Sequence, residues 1–125
     1  MGYRKLDIYN VAFQLFLKTH KETFRLPKYE TYELGSQLRR SAHSVTANIV
    51  EGYGRSNYKQ EYVRFLIFSH ASNSETLCHI EGIINLYPDI NENFKELYKE
   101  YDILGARLNK YNQYVKSNWK CSPIK

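Results

Sequence analysis

Glu75 and His79 stand four residues apart, a spacing that stacks a carboxylate against an imidazole on one helix face. This is the nearest the chain comes to a metal-binding motif, and a single pair gives a weak site at most. Helical di-iron carboxylate proteins need Glu-x-x-His on two helices, and no Glu-x-x-His occurs. His20, His43 and His70 have no neighbouring cysteine or paired carboxylate that would make them ligands or members of a triad, so rim or packing roles are expected. Gly52-Tyr53-Gly54 lacks the third glycine and the following Lys-Ser/Thr of a phosphate loop and is read as a helix stop. Cys78 and Cys121 show neither disulfide-framework nor zinc spacing. The expectation is a non-enzymatic protein with no metal, no cofactor and no small-molecule substrate.

Two other constellations remain. Arg39, Arg40, Arg55, Lys59 and Arg64 form a basic zone with the character of a nucleic-acid-binding surface. Arg39 and His43 share a helix face while Arg40 lies about 100° around it, so the zone becomes continuous only when subunits repeat it. Salt-sensitive binding to RNA or DNA without sequence preference is expected. Asn48, Glu51, Arg55, Ser72 and Glu75 fall beside core positions, and the expectation is a hydrogen-bonded polar cluster that fixes helix register.

The elements that must hold these residues are legible from periodicity. Pro27, Pro88 and Pro123 separate long proline-free stretches. Ile8, Val11, Ala12, Leu15 and Phe16 mark a first helix over about 6–23, with Phe24 to Glu30 as a connection. Leu34, Leu38, Ala42, Val45 and Ile49 mark a second over 31–53, padded by Ser41, Ser44 and Ala47 for close approach. Ser56 or Asn57, with Gln60 or Glu61 closing a capping box, starts a third over 57–86. Asn85 to Asn91 forms a turn. Phe94, Leu97, Tyr101, Leu104, Leu108, Tyr111 and Val115 then define a fourth helix over 91–118, with a frayed tail over 119–125. Gly105 inside it costs about 1 kcal/mol relative to alanine, so it marks either a close helix contact or a weak point. No hairpin signal joins alternating apolar runs. The result is an all-α, antiparallel up-down-up-down four-helix bundle in a single domain, 1–125.

Twelve tyrosines and six phenylalanines exceed what one thin bundle core must hold. Tyr9, Phe13, Tyr98 and Tyr114 lie off the main seams and are candidates for the interface of a homo-oligomer. Charge is uneven as well: residues 1–60 hold ten Lys/Arg against five Asp/Glu, whereas residues 61–125 hold eight against eight. No apolar run has signal-peptide or membrane-span length and cysteine is sparse, so a cytoplasmic protein without a membrane partner is expected.

Gln37-Leu38-Arg39-Arg40-Ser41-Ala42, Ser44-Val45, Asn48-Ile49-Val50-Glu51-Gly52, Gly54-Arg55, Phe65-Leu66, and Ser72 with Glu75 together resemble the four-helix bundle family encoded in bacterial 23S rRNA intervening sequences. The strong part spans about Gln37 to Glu75. Thr46, Tyr62 and Ala71 depart from residues common in that family (proline, phenylalanine and glycine) and bear on local helix geometry. The resemblance implies a cyclic homo-oligomer, commonly a pentamer. It extends to the accessory variability proteins of diversity-generating retroelements, which implies a reverse-transcriptase-like or nucleic-acid partner. It implies no catalytic residue.

Overall fold

A computed structural model describes residues 2–120. Helix α1 (Asp7–Thr23), α2 (Leu34–Gly54), α3 (Lys59–Leu86) and α4 (Glu92–Asn118) carry the architecture, with short 3-10 turns at Gly2–Lys5, Lys28–Glu30 and Pro88–Ile90. Among the described residues no strand occurs. Each helix buries one face at mixed steps of three and four, as helix geometry requires of a core-facing stripe. The most regular is α3, which buries Tyr62, Leu66, Ser69, Asn73, Thr76, Ile80 and Ile83.

Consecutive helices run antiparallel around a square, α1 packing on α2 and α4, and α3 on α2 and α4. Arg107 reaches Asp7 at 2.7 Å, and Lys18 reaches Glu100 at 3.4 Å, which aligns α1 against α4 in opposite directions. The core between them consists of Leu15, Leu38, Val45, Ile49, Leu66, Ile80, Leu104 and Leu108, joined by the fully enclosed Tyr62, Phe94 and Tyr101.

Several boundaries differ from the sequence reading. Helix α2 begins at Leu34 because Lys28–Glu30 makes a 3-10 turn, and the Thr31 carbonyl accepts from Arg39 Nη2 at 2.7 Å. Arg39 Nη1 also donates to Thr23 Oγ1 at 2.8 Å, so one guanidinium ties the end of α1 to the turn before α2. At α3 the residue ahead of the helix is Tyr58, and neither the Ser56/Asn57 cap nor a capping box forms. Gly52 lies inside α2, where an added Cβ would meet Phe65 Cβ at 2.9 Å. It permits the close approach of α2 and α3, and helix α2 continues past it to Gly54. Trp119 corrects the frayed tail at its first residue: its indole Nε1 donates to the Ser56 carbonyl at 2.8 Å. Residues 121–125 of that tail lie outside the described residues.

Candidate functional site

The helices bring polar side chains into the interior along one seam. Ser69 Oγ donates to the Val45 carbonyl at 2.7 Å, crossing from α3 to α2. Thr76 Oγ1 donates to Ser41 Oγ at 2.9 Å, and Ser44 and Ser72 hydroxyls bond at 2.8 Å. Asn48 Nδ2 joins by donating to Ser44 Oγ at 3.0 Å. On the other side of α3, Asn73 Nδ2 donates to the Tyr101 carbonyl of α4 at 2.9 Å. Small hydroxyls bonded across a helix pair satisfy each other at short interaxial distance, so this seam sets register.

The expected cluster of Asn48, Glu51, Arg55, Ser72 and Glu75 therefore divides. Asn48 and Ser72 belong to the seam. Glu51 is exposed and pairs with Arg55 at 3.1 Å, one helical turn on, and Glu75 is exposed beside His79 at 3.1 Å. Rotation of the charged residues by about 100° per step from the buried stripe carries them to solvent. Ser69 and Asn73, which the sequence reading places on the α3 stripe but outside the cluster, and Ser41 and Ser44, which it treats as padding of α2, also belong to the seam; Thr76 is the member it missed. The signal for Thr76 was its place on the α3 stripe between Asn73 and Ile80.

The basic zone is likewise redistributed. Arg39 is spent on the α1–α2 connection, its guanidinium also covering the Phe24 ring at 4.8 Å. Arg55 is held by Glu51 and by Glu61 at 3.2 Å, and Arg64 by Glu61 at 3.2 Å, with both guanidinium groups over the Phe65 ring. Arg40 is exposed beside Gln37, Ser44 and Glu75. Lys59, half-buried, is the first residue of α3. Three of the five predicted cations are therefore committed to internal partners.

Folding creates a different asymmetry, along the bundle axis. The start of α1, the α2–α3 turn and the finish of α4 share one end, as the Arg107–Asp7 and Trp119–Ser56 contacts require. The flanking segments there, 2–15, 44–73 and 105–120, hold nine Lys/Arg against three Asp/Glu. The remaining segments, 16–43 and 74–104, hold eight against ten.

The four interface candidates take different positions. Tyr9 is half-buried and stacks on Phe13, with ring centroids 5.9 Å apart. Both line a groove of about 390 Å³ between α1 and α2, with Phe16, His43, Ala47 and Val50. Tyr98 is half-buried against the core. Tyr114 is half-exposed and tilts on Tyr111 at 5.9 Å beside the α1–α4 groove.

Titration is perturbed at interior tyrosines. Burial pushes the Tyr62, Tyr101 and Tyr111 hydroxyls up from their ordinary value. The Tyr87 hydroxyl is raised chiefly by donating to the Glu30 carboxylate. Among the described residues no group of three or more His, Cys, Asp or Glu side chains converges on a point. No helix there is long and apolar enough to cross a membrane.

Square packing around a polar seam, with charge polarised along the axis, defines an antiparallel four-helix bundle. The family model described as 23S rRNA-intervening sequence protein matches residues 4–110, so the chain belongs to that family. Among curated proteins, none matches the chain.

Proposed function

We propose that this protein is a non-enzymatic, self-associating helical scaffold whose basic surface engages RNA or DNA. The observation that carries the scaffold reading is a second apolar stripe on α1. While Ile8, Ala12, Leu15 and Thr19 face the core, Tyr9, Phe13, Leu17 and His20 recur at steps of three and four on the outer side, continued by Phe24 just past the helix end. Phe13, Leu17 and Phe24 are 36%, 44% and 54% exposed. A helix with apolar stripes on two faces has surface left for a second partner.

The face across the bundle, formed by α3 and α4, exposes Ile67 and Ile103. Two unlike apolar faces on opposite sides favour a head-to-tail contact, which closes into a ring when the rotation permits. This is in keeping with the cyclic pentamer that the family resemblance implies. The kinship with retroelement accessory proteins would add a reverse-transcriptase-like enzyme as partner.

Light scattering coupled to size exclusion tests the scaffold reading. The wild type is expected as one discrete oligomer, and Phe13→Glu with Leu17→Glu as a folded monomer. A wild-type monomer at micromolar concentration removes it. Loss of salt-dependent nucleic-acid retention would leave a purely structural or protein-binding oligomer.

A further inference from the structure

Six cations at the positive end of the bundle, Arg4, Lys5, Lys59, Lys110, Lys116 and Lys120, form no ion pair among the described residues. They come from three of the four corners of that end: the turn before α1, the start of α3 after the α2–α3 turn, and the last three turns of α4 with the residue following Trp119. Antiparallel folding alone brings them together, since Lys5 and Lys116 are far apart in the chain. Cations with no carboxylate to neutralise them keep a full attraction for phosphate, and several in one region release several counterions on binding.

Aromatic rings are set among these charges. Tyr58, on the α2–α3 turn, is 57% exposed, and Tyr114, on α4, is 51% exposed. Beside Tyr114 runs a groove of about 480 Å³ between α1 and α4, lined by Leu6, Ile8 and Tyr111, by the Arg107–Asp7 ion pair and by Lys110, which has no carboxylate partner among the described residues. An apolar floor with a lysine on its rim and an open tyrosine ring suits a planar base with its phosphate. Duplexes hide their base faces in the stack, so tyrosine platforms add affinity only for unpaired bases. An anionic membrane would draw on the lysines but make no use of stacking geometry.

We propose that this basic end is a binding surface for single-stranded nucleic acid, in which Lys110 and Lys116 hold phosphates and Tyr114 stacks on a base. The proposal rests on the nucleic-acid reading above and adds its place and its substrate class. Arg55 and Arg64, paired to Glu51 and Glu61, contribute little to it, as does Arg39, whose guanidinium is turned onto Thr23, the Thr31 carbonyl and the Phe24 ring near the other end.

The test is fluorescence anisotropy of labelled oligouridylate and of a matched duplex, titrated with the full chain at about 50 mM and 200 mM salt. The wild type is expected to bind the single strand more tightly than the duplex and to weaken steeply with salt. Lys110→Glu with Lys116→Glu should weaken single-strand binding at least tenfold and flatten the salt dependence. Tyr114→Ala should weaken the single strand by about 5- to 100-fold, the range of one lost base stack, and leave the duplex unchanged. Lys28→Glu with Lys95→Glu makes the same charge change at the opposite end, where it should alter binding less than twofold. Circular dichroism and light scattering on each variant separate loss of binding from loss of fold or assembly.

If the wild type binds neither probe at low salt, the nucleic-acid reading itself falls, and this proposal with it. If it binds but only the Lys28/Lys95 variant loses affinity, the reading stands and the basic end is the wrong surface. Equal affinity for duplex, or binding to phosphatidylglycerol vesicles with none to oligouridylate, also overturns the proposal.

Discussion

Asn73 and Gly105 meet across the α3–α4 contact: the Asn73 amide nitrogen lies 2.9 Å from where a Cβ on residue 105 would stand. That nitrogen is already committed to the Tyr101 carbonyl, one turn earlier on α4. The glycine therefore makes room for a buried interhelical hydrogen bond, and its helix-propensity cost is the counterpart of that bond.

Gly105→Ala should lower stability by about 1–2 kcal/mol, because displacing a buried amide outweighs the gain of about 1 kcal/mol in helix propensity. In an Asn73→Ala background the obstacle is gone, and the same substitution should become stabilising. A denaturant double-mutant cycle reads this reversal of sign. Additive effects would refute the coupling.

Gly52→Ala should destabilise by about 1–3 kcal/mol, since the new methyl meets the Phe65 Cβ, which cannot swing away without moving α3. The denaturation midpoint should fall at unchanged slope. An unaltered midpoint would mean that the two helices are looser than their 2.9 Å clearance implies.

Much of this architecture was legible from periodicity, because a bundle core is written in steps of three and four that survive without knowledge of the partner helices. The fourth helix needed nothing more, and Pro88 marked the turn before it. The interior polar seam was harder: Ser69 and Asn73 could be placed on the stripe, but which charged neighbours joined them depended on helix rotation. Glu51 and Glu75 face solvent for that reason. The charge pattern was hardest of all. Counted along the chain, the excess lay in residues 1–60, whereas antiparallel packing re-sorts it by distance from the helix ends.

Arg39 illustrates the difference in a testable way. Arg39→Met should cost about 1.5–3 kcal/mol, the usual range for charge-assisted hydrogen bonds, through loss of the Thr23 and Thr31 contacts. Its affinity for polyanions at a temperature where it stays folded should match the wild type. A large loss of binding with no loss of stability would restore Arg39 to the interface.

Alkaline pH should destabilise the protein. Tyr62, Tyr101 and Tyr111 have hydroxyls raised by burial, so above the ordinary tyrosine value of about 10 the unfolded chain loses protons that the folded chain retains. By linkage, the stability these groups contribute is fully present below that value and falls as pH rises past it. Guanidinium midpoints taken from pH 8 to 11, with phenolate absorbance followed in parallel, should show a constant plateau and then a decline. A midpoint that holds level past about pH 10 would contradict the assignment.

Trp119 is the only tryptophan in the chain, and it sits edge-on to Tyr62 at 5.1 Å with its indole nitrogen bonded to the Ser56 carbonyl. Its emission therefore comes from one corner alone, where the last helix latches onto the bend between the second and third. Lifting that latch would shift the colour and quenching of a single fluorophore while the far end stays silent. Local opening of the corner can thus be timed by optics alone, apart from melting of the whole molecule, and without attaching a dye.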